Sequence, residues 1–194
     1  KRKISEFSII YSTYCRLCHE ANCLDFDDLL IKTHELFQNH TKTLKKYQDL
    51  FRHILIDEYQ DTNKVQDSIV KKIASKYQNI CVVGDDSQSI YSFRGANIYN
   101  MLNFKKSYSQ LQEFKLEQNY RSTKNIVNAA NSLIAHNINK IDKTIFSKNE
   151  EGEKIKLFEY NNDREEGEKV ASMIAGAMAN NKESDYAILY RTNS

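Results

Sequence analysis

The sequence lacks several features that would assign it to a particular class of protein. It contains no proline among its 194 residues, an absence that by itself indicates no function. It has no apolar run of membrane-spanning length and no basic-then-apolar segment at its start, which argues against membrane and exported proteins. We therefore expect a cytoplasmic protein without a membrane partner.

Charge and cysteine content are equally unspecific. The net charge of +2 is too small to indicate a nucleic-acid partner by itself, although it does not exclude one. Four cysteines in a chain of this size do not suggest a disulfide scaffold. The spacing of Cys15, Cys18, His19 and Cys23 resembles that of metal ligands. However, Cys15 and Cys18 would share a helix face with apolar neighbours, so core or surface thiols are the favoured interpretation.

The most informative stretch is Ile54–Asn63, in which a short apolar run ends on the adjacent carboxylates of Asp57 and Glu58. The apolar run has the length and β-branched content of a buried strand, and Thr62 or Asn63 can cap a following helix. Neighbouring acids repel each other and suit a core badly, whereas Mg²⁺ with a phosphate ligand explains them. One carboxylate would hold the metal, and the other would orient or deprotonate an attacking water.

A second short apolar run, Ile80–Val83, is followed by the polar stretch Gly84–Gln88. Strand, helix and strand in this order imply a right-handed parallel crossover, which brings Gly84–Gln88 to the same sheet edge as Asp57 and Glu58. In open parallel sheets this edge is where ligands bind. Polar groups that are distant in sequence are therefore predicted to converge on one crevice.

Hydrophobic periodicity predicts the other elements of an α/β fold with a parallel sheet and flanking helices. Asp25 is expected to cap the second helix, whose buried positions would include Leu29 and Leu36. Residues 139–153 are polar and turn-rich and are predicted to be the weakest-ordered stretch. Helices are predicted over residues 4–21, 26–37, 64–77, 97–106, 124–137 and 165–180, and further strands over 111–116, 154–160 and 186–190.

Three longer motifs resemble, in order and spacing, motifs II, III and IV of the UvrD/PcrA/Rep-like superfamily 1 DNA helicases. They are Asp57–Asn63 (DEYQDTN), Val82–Ala96 (VVGDDSQSIYSFRGA) and Leu116–Thr123 (LEQNYRST). Leu24–Leu30 and Ala187–Asn193 agree as well, so the resemblance extends over nearly the whole chain. It implies a RecA-like fold, ATP and Mg²⁺ as cofactors, and single-stranded DNA and duplex junctions as partners, with movement from 3′ to 5′.

The resemblance also implies roles for individual residues in ATP hydrolysis. Asp57 would hold Mg²⁺, Glu58 would activate the water that attacks the γ-phosphate, and Gln88 would sense that phosphate. Arg121 would be an arginine finger offered from a second domain, and Tyr120 would lie against the adenine. Judged from the residues alone, an alternative remains open in which Arg121 is a solvated residue at a helix start and Tyr120 is a core aromatic.

Tyr91, Phe93 and Arg94 resemble the loop on which the family stacks the bases of single-stranded DNA. Aromatic faces accept any base, at about 1 to 3 kcal/mol per stacked base, which suits an enzyme that must ignore sequence. The alternative that both rings fill the core beneath the loop remains open. Phe93 stands where the family usually has Trp, which leaves a smaller stacking face. Ser87 stands where it usually has Asp, which puts one polar contact near the nucleotide in doubt.

The sequence lacks one essential part of such an ATPase. None of its five glycines belongs to a phosphate-cradling Gly-x-x-x-x-Gly-Lys-Ser/Thr loop, and the family's motifs V and VI are missing. We therefore expect a fragment that is inactive alone. Residues 1–50 would belong to the helical subdomain 1B, residues 51–114 to the second half of RecA-like domain 1A, and residues 115–194 to the first part of domain 2A.

Two alternatives to this interpretation stay open. The helicase portion of a helicase-nuclease subunit shares the same motifs. A non-catalytic nucleic-acid-binding or assembly module would also lack the phosphate loop. The sequence indicates neither the pathway nor any protein partner.

Overall fold

The described part of the chain consists of helices, two small parallel sheets of two strands each, and the loops that connect them. The computed structural model describes residues 2–108, 110–178 and 185–190, apart from the side chains of residues 2–5. The elements are α1 (Arg2–Glu20), α2 (Phe26–Asn39), α3 (Thr41–Leu50), β1 (Ile54–Ile56), α4 (Lys64–Ala74), β2 (Ile80–Val82), α5 (Tyr99–Leu102), α6 (Phe104–Ser107), β3 (Gln118–Asn119), α7 (Lys124–Ile134), β4 (Phe146–Ser147) and α8 (Asp163–Ala177). None of the helices in these ranges is long and apolar enough to cross a membrane.

The first sheet consists of β1 and β2, which are parallel and are connected through α4. Ile54 pairs with Ile80 and Ile56 with Val82. Backbone hydrogen bonds continue just beyond the strands, since the Tyr59 N–H donates to the Val83 carbonyl at 3.0 Å. The predicted parallel crossover is thereby confirmed, and residues 57–58 and 84–88 leave the sheet at the same edge.

Two predicted helix caps are present. Asp25 accepts a hydrogen bond from the Asp28 N–H at 2.8 Å, and Asn63 accepts one from the Gln66 N–H at 2.9 Å. In both cases the side chain three residues on reaches back to the N–H of the cap, which forms a complete capping box. The start of α4, which determines where β2 returns to the sheet, is therefore specified locally.

Tyr59 lies at the centre of the small core and has no exposed surface. Its ring meets the ring of Phe104 edge to face, at 5.3 Å between centroids, and its hydroxyl donates to Asp67 in α4. Burial, together with the neighbouring Asp67 carboxylate, raises the pKa of the Tyr59 hydroxyl. A further buried aromatic, Phe37 of α2, packs against Tyr47 of α3 at 5.5 Å.

Several predicted helices differ from those formed. No helix is predicted for the polar, Lys-rich stretch Asn39–Gln48 before β1, yet Thr41–Leu50 forms α3. It does so because Tyr47 packs on α2 and the buried Gln48 donates to the Lys72 carbonyl at 2.8 Å. The single helix predicted over residues 97–106 is divided at Asn103 into α5 and α6. In α2, Leu29 and Leu36 were expected to be buried but are 51% and 39% exposed.

The strands predicted over residues 111–116, 154–160 and 186–190 are not formed. Phe114 and Leu116 are 80% and 84% exposed, so in this chain no neighbouring element covers their apolar side chains. Instead, β3 begins at Gln118 and pairs in parallel with β4. The stretch 139–153, expected to be the weakest-ordered, supplies β4 and is also tied to the chain before α7 by the Ser147 hydroxyl, which donates to the Ser122 carbonyl at 2.7 Å.

Candidate functional site

Asp57 and Glu58 follow β1 directly, and both side chains are exposed at the carboxyl edge of the sheet. The backbone of Glu58 is left-handed, with φ of 50°, a conformation that a residue other than glycine adopts at some cost and that is concentrated at functional sites. The Glu58 N–H donates to Asp57 Oδ1 at 2.9 Å. This turn presents two adjacent carboxylates outward.

Gln60 connects this acidic turn to the segment after β2. Its side chain is almost completely buried, at 1% exposure. Its amide nitrogen donates to Glu58 Oε2 at 2.7 Å, while its amide oxygen accepts from the Asp85 N–H at 3.0 Å. A Cβ added at Gly84 would lie 2.5 Å from the same amide oxygen. The absence of a side chain at Gly84 therefore leaves room for the Gln60 amide.

The role of Gln60 was missed by reasoning from the sequence. A glutamine two residues after the acidic pair carries no periodic or charge signal. The only available signal was that Gln60 follows β1, at the sheet edge to which the crossover also brings the end of β2.

The carboxylate of Asp85, which follows β2, accepts three hydrogen bonds. It accepts from Gln88 Nε2 at 2.8 Å, from the Ser87 N–H at 3.0 Å and from Lys143 Nζ at 2.6 Å. Burial alone would raise the pKa of Asp85, but the hydrogen bonds from Lys143, Gln88 and Ser87 outweigh it and lower that pKa. Gln88, the predicted phosphate sensor, is therefore connected through Asp85 and Gln60 to Glu58.

Lys143 also reaches the neighbouring carboxylate of Asp86, whose side chain is 1% exposed. Asp86 receives a second donor from the Ile141 N–H, at 2.9 Å. Burial would lower the pKa of Lys143, but its hydrogen bonds to Asp85 and Asp86 outweigh that effect and raise it. Both Lys143 and Asp85 are therefore charged around neutral pH. No sequence motif indicated Lys143.

Tyr91, Phe93 and Arg94 lie together on the turn that follows. The two rings are 6.1 Å apart, and the Arg94 guanidinium carbon lies 5.6 Å from the Tyr91 centroid and 5.4 Å from that of Phe93. Tyr91 is 40% and Phe93 76% exposed, so the two rings do not fill the core of this chain.

Beside this aromatic turn is an open pocket of about 240 Å³. The Oδ1 atom of Asp61, one of the residues that line it, is buried and has no hydrogen-bond partner within the described part of the chain. The pocket is lined by Asp61, Asn63, Gln66, Tyr91, Arg94 and Ala96.

Tyr120 and Arg121 lie on the segment between β3 and α7. Tyr120 is 79% exposed, so it does not lie in the core of this chain, and Arg121 is exposed as well. The backbone here is held by Asn119, whose Oδ1 accepts from the Arg121 and Ser122 N–H groups at 2.9 and 2.8 Å. Within residues 2–108, 110–178 and 185–190, no hydrogen bond or ion pair connects the Arg121 side chain to Glu58 or Gln88. Among the described residues, the predicted arginine finger therefore makes no polar contact with the predicted base or the predicted phosphate sensor.

The carboxylates at this sheet edge are suitable ligands for Mg²⁺. Mg²⁺ is usually held by one or two carboxylates together with waters and substrate phosphates, and the exposed Asp57 has Oδ2 without a hydrogen bond among the described residues. No cluster of three or more His, Cys, Asp or Glu side chains placed to hold a metal is found among the described residues, and Cys15 and Cys23 are exposed. An all-protein metal cage is therefore not formed by this part of the chain.

Comparison with known proteins gives two family matches. Residues 1–109 match the UvrD/REP helicase N-terminal domain, and residues 114–194 match the UvrD-like helicase C-terminal domain. The ATP-dependent DNA helicase PcrA of Staphylococcus epidermidis is 47% identical, and that of Staphylococcus aureus 48% identical, each over 186 residues. These residues cover 95% of this chain but only 26% of either relative, so the chain spans about a quarter of their length.

Proposed function

The chain belongs to the UvrD/Rep helicase family, and we propose that it is part of an ATP-dependent DNA helicase that moves along single-stranded DNA and separates duplex strands. The observation that carries this proposal is the hydrogen-bonded connection from Glu58 through Gln60 and Asp85 to Gln88. This connection holds the Glu58 carboxylate and the Gln88 amide at the carboxyl edge of the sheet, where a RecA-like fold binds nucleotide. The resemblance implies movement from 3′ to 5′.

In the proposed hydrolysis site, Asp57 would hold Mg²⁺, and the metal would supply positive charge beside the phosphates. Glu58 takes a proton from the attacking water, and its exposed carboxylate and left-handed backbone direct it outward from the sheet. Gln88 senses the γ-phosphate. Phosphoryl transfer needs positioning and charge stabilisation more than covalent chemistry, which is what fixed polar groups at a sheet edge supply.

The second half of the chain contributes Tyr120 and Arg121 to the same site. A guanidinium offers a rigid fork of donors to the charge that develops on phosphoryl oxygens. Both side chains are exposed in this chain, which leaves them available for a nucleotide held between the two halves. With nucleotide bound, Tyr120 would lie against the adenine, and Arg121 would act as the arginine finger.

Single-stranded DNA binds on the turn that carries Tyr91, Phe93 and Arg94. The exposed rings supply stacking faces, and Arg94 adds a positive charge for the phosphate backbone. The adjacent pocket is lined by Asn63 and Gln66. Their side-chain oxygens are used in the capping box of α4, so their amide nitrogens are the groups that would meet a base that leaves the stack. Duplex junctions are the substrate of the whole enzyme.

We further propose that residues 1–50 belong to subdomain 1B, residues 51–114 to RecA-like domain 1A and residues 115–194 to domain 2A of a longer, cytoplasmic protein. This chain contains no Gly-Lys-Ser or Gly-Lys-Thr, so a phosphate loop has to come from elsewhere in that protein. The quarter-length match to the PcrA relatives supports this organisation.

The test is ATP hydrolysis by the full-length protein that carries this chain, with single-stranded DNA present. Glu58→Gln removes the base while it keeps the size of the side chain, and we expect the turnover number to fall by about 100-fold or more. Nucleotide affinity should change little. Glu159→Gln is the matched control, because Glu159 is an exposed glutamate whose side chain makes no hydrogen bond or ion pair to this site among the described residues.

The results separate the candidate functions. Equal turnover by Glu58→Gln and Glu159→Gln would reject Glu58 as the base. A full-length protein that binds single-stranded DNA but does not turn over ATP would instead be a non-catalytic nucleic-acid-binding module.

A further inference from the structure

Lys143 lies outside the motifs that identify the family, between α7 and β4. Its ammonium group is held between two neighbouring carboxylates, 2.6 Å from Asp85 Oδ1 and in direct contact with Asp86 Oδ1. The Lys143 side chain is only 18% exposed, so the contact is sheltered from water. An ion pair in such surroundings is screened less than a surface pair.

The two carboxylates have different second partners. Asp86 also accepts from the Ile141 N–H at 2.9 Å, so it fastens the backbone just before Lys143. Asp85 also accepts from the Gln88 side chain at 2.8 Å, so it connects Lys143 to the proposed phosphate sensor. Asp86 thus holds the segment in place, and Asp85 faces the site.

The bridge joins the two halves of the chain. Asp85 and Asp86 belong to the residues that match the N-terminal domain of the family, and Lys143 belongs to those that match the C-terminal domain. From Asp85 the hydrogen bonds continue through its N–H and Gln60 to Glu58. A single ammonium group of the second half therefore contacts the network that positions both Gln88 and Glu58.

Removal of the Lys143 charge would leave Asp85 and the almost completely buried Asp86 next to each other without a cation. Neighbouring carboxylates repel, and a buried charge without a partner is costly, so Asp85 would turn towards solvent. Gln88 would then lose the acceptor that fixes its amide.

We propose that Lys143 is a positioning residue that holds Gln88 in place through Asp85 and so makes ATP turnover depend on contact between the two halves. The Lys143 ammonium group is taken up by Asp85 and Asp86, so it is not free to bind nucleotide or DNA. Its effect therefore appears in the turnover number and not in the affinity for either ligand. This inference rests on the proposed helicase function.

The experiment measures DNA-stimulated ATP turnover by the full-length protein carrying Lys143→Met, with Lys148→Met as the matched control. Lys148 is an exposed lysine close by in sequence and makes no ion pair among the described residues. We expect Lys143→Met to lower the turnover number by about tenfold or more, with the KM for ATP and the Kd for single-stranded DNA within about twofold. Lys143→Arg, which keeps the charge, should recover most of the turnover. Lys148→Met should behave like the unaltered protein.

A double-mutant cycle with Gln88→Ala separates positioning from general stabilisation. If Lys143 acts through Gln88, Lys143→Met should cause little further loss of turnover in the Gln88→Ala background. An equal fold-loss in both backgrounds would overturn the proposal, as would unchanged turnover in Lys143→Met alone. If Lys143→Met does not fold, Asp85→Asn carries the same cycle. Absence of ATP turnover in the unaltered protein would reject the proposed function itself, a result distinct from any of these.

Discussion

At the scale of single residues, the aromatic turn shows how backbone conformation controls exposure. Gly95 closes the turn with φ of 89°, in the left-handed region that favours glycine. Its N–H donates to the Ser92 carbonyl at 3.0 Å, and the Ala96 N–H donates to the Tyr91 carbonyl at 3.2 Å. The chain thereby reverses within a few residues, and the rings of Tyr91 and Phe93 remain on the outside.

Phe93→Ala should weaken the binding of single-stranded DNA to the full-length protein. The loss of one stacked base corresponds to about 1 to 3 kcal/mol, or about fivefold to about 150-fold in Kd. Because Phe93 carries no charge, the dependence of affinity on salt should not change. Fluorescence anisotropy at several salt concentrations measures both quantities. Phe26→Ala is the control, since Phe26 is 89% exposed on α2, and equal affinities of the two variants would contradict the stacking role.

The pair formed by Lys143 and Asp85 predicts how stability depends on pH. The pKa of Asp85 is lowered from 3.8. Its contribution to the free energy of unfolding is therefore present above pH 3.8 and is lost as the pH falls through the lowered pKa. The pKa of Lys143 is raised from 10.5, so its contribution is present below that pH and is lost as the pH rises through the raised value. Together, the two shifts predict that the stabilisation by the Lys143–Asp85 pair is constant between these two pH limits.

The measurement is the difference in thermal unfolding midpoint between the full-length protein and its Lys143→Met variant. We expect this difference to stay constant between about pH 5 and about pH 9. It should shrink at more acid pH, as Asp85 is protonated. A difference that falls by half between about pH 6 and about pH 8 would indicate that a histidine, and not this pair, is responsible.

At the scale of elements, α4 is the helix on which the site depends, because it carries the chain from β1 to β2. Its first turn is fixed by Asn63, which accepts from the Val65 and Gln66 N–H groups at 2.9 Å. α7 begins differently, since the side chain of its N-cap residue, Thr123, makes no capping hydrogen bond. The two helix starts therefore form a natural comparison.

Asn63→Ala should destabilise the full-length protein by about 1 kcal/mol, because the N–H groups of the first turn lose their acceptor. Thr123→Ala should lower the free energy of unfolding by only about 0.3 kcal/mol, because the Thr123 hydroxyl makes no capping hydrogen bond. The shift of the thermal or urea unfolding midpoint measures both effects. Equal shifts for the two variants would show that α4 does not depend on its capping box.

The elements that were predicted correctly have local signals, and those that were missed depend on distant partners. The caps at Asp25 and Asn63 follow from side chains within three residues, so the sequence is sufficient to predict them. α3 depends on packing against Phe37 of the previous helix, which a Lys-rich segment does not reveal. Conversely, the apolar run with Phe114 and Leu116 resembles a strand, but a strand needs a neighbour, and none is formed in the described residues.

The same reasoning applies to the site. The convergence of Asp57 and Glu58 with Gln88 follows from strand order, because a parallel crossover leaves little choice of edge. Gln60 and Lys143 were not foreseen, because each acts through contacts between segments far apart in sequence. Hydrogen-bond partners of this kind have no periodicity to detect.

At the scale of the whole molecule, the first sheet is covered on one face only. Ile54 and Ile56 are half-buried, whereas Leu55 between them is 79% exposed and Cys81 on β2 is exposed too. Parallel sheets normally have both faces covered, and two strands leave both edges open. The curated relatives are about four times as long as the matched segment. We infer that other parts of the full-length protein cover the face with Leu55.

Leu55→Ala therefore tests how the chain fits into the full-length protein. Judged from its exposure in this chain alone, the substitution should be nearly neutral. If the face is covered, it should instead cost about 2 to 5 kcal/mol, as for a leucine in a packed core. Ile56→Ala, on the opposite face of the same strand, provides a comparison that should be destabilising in either case. Thermal unfolding of the full-length protein measures both, and a neutral Leu55→Ala beside a destabilised Ile56→Ala would show that this face of the sheet stays open.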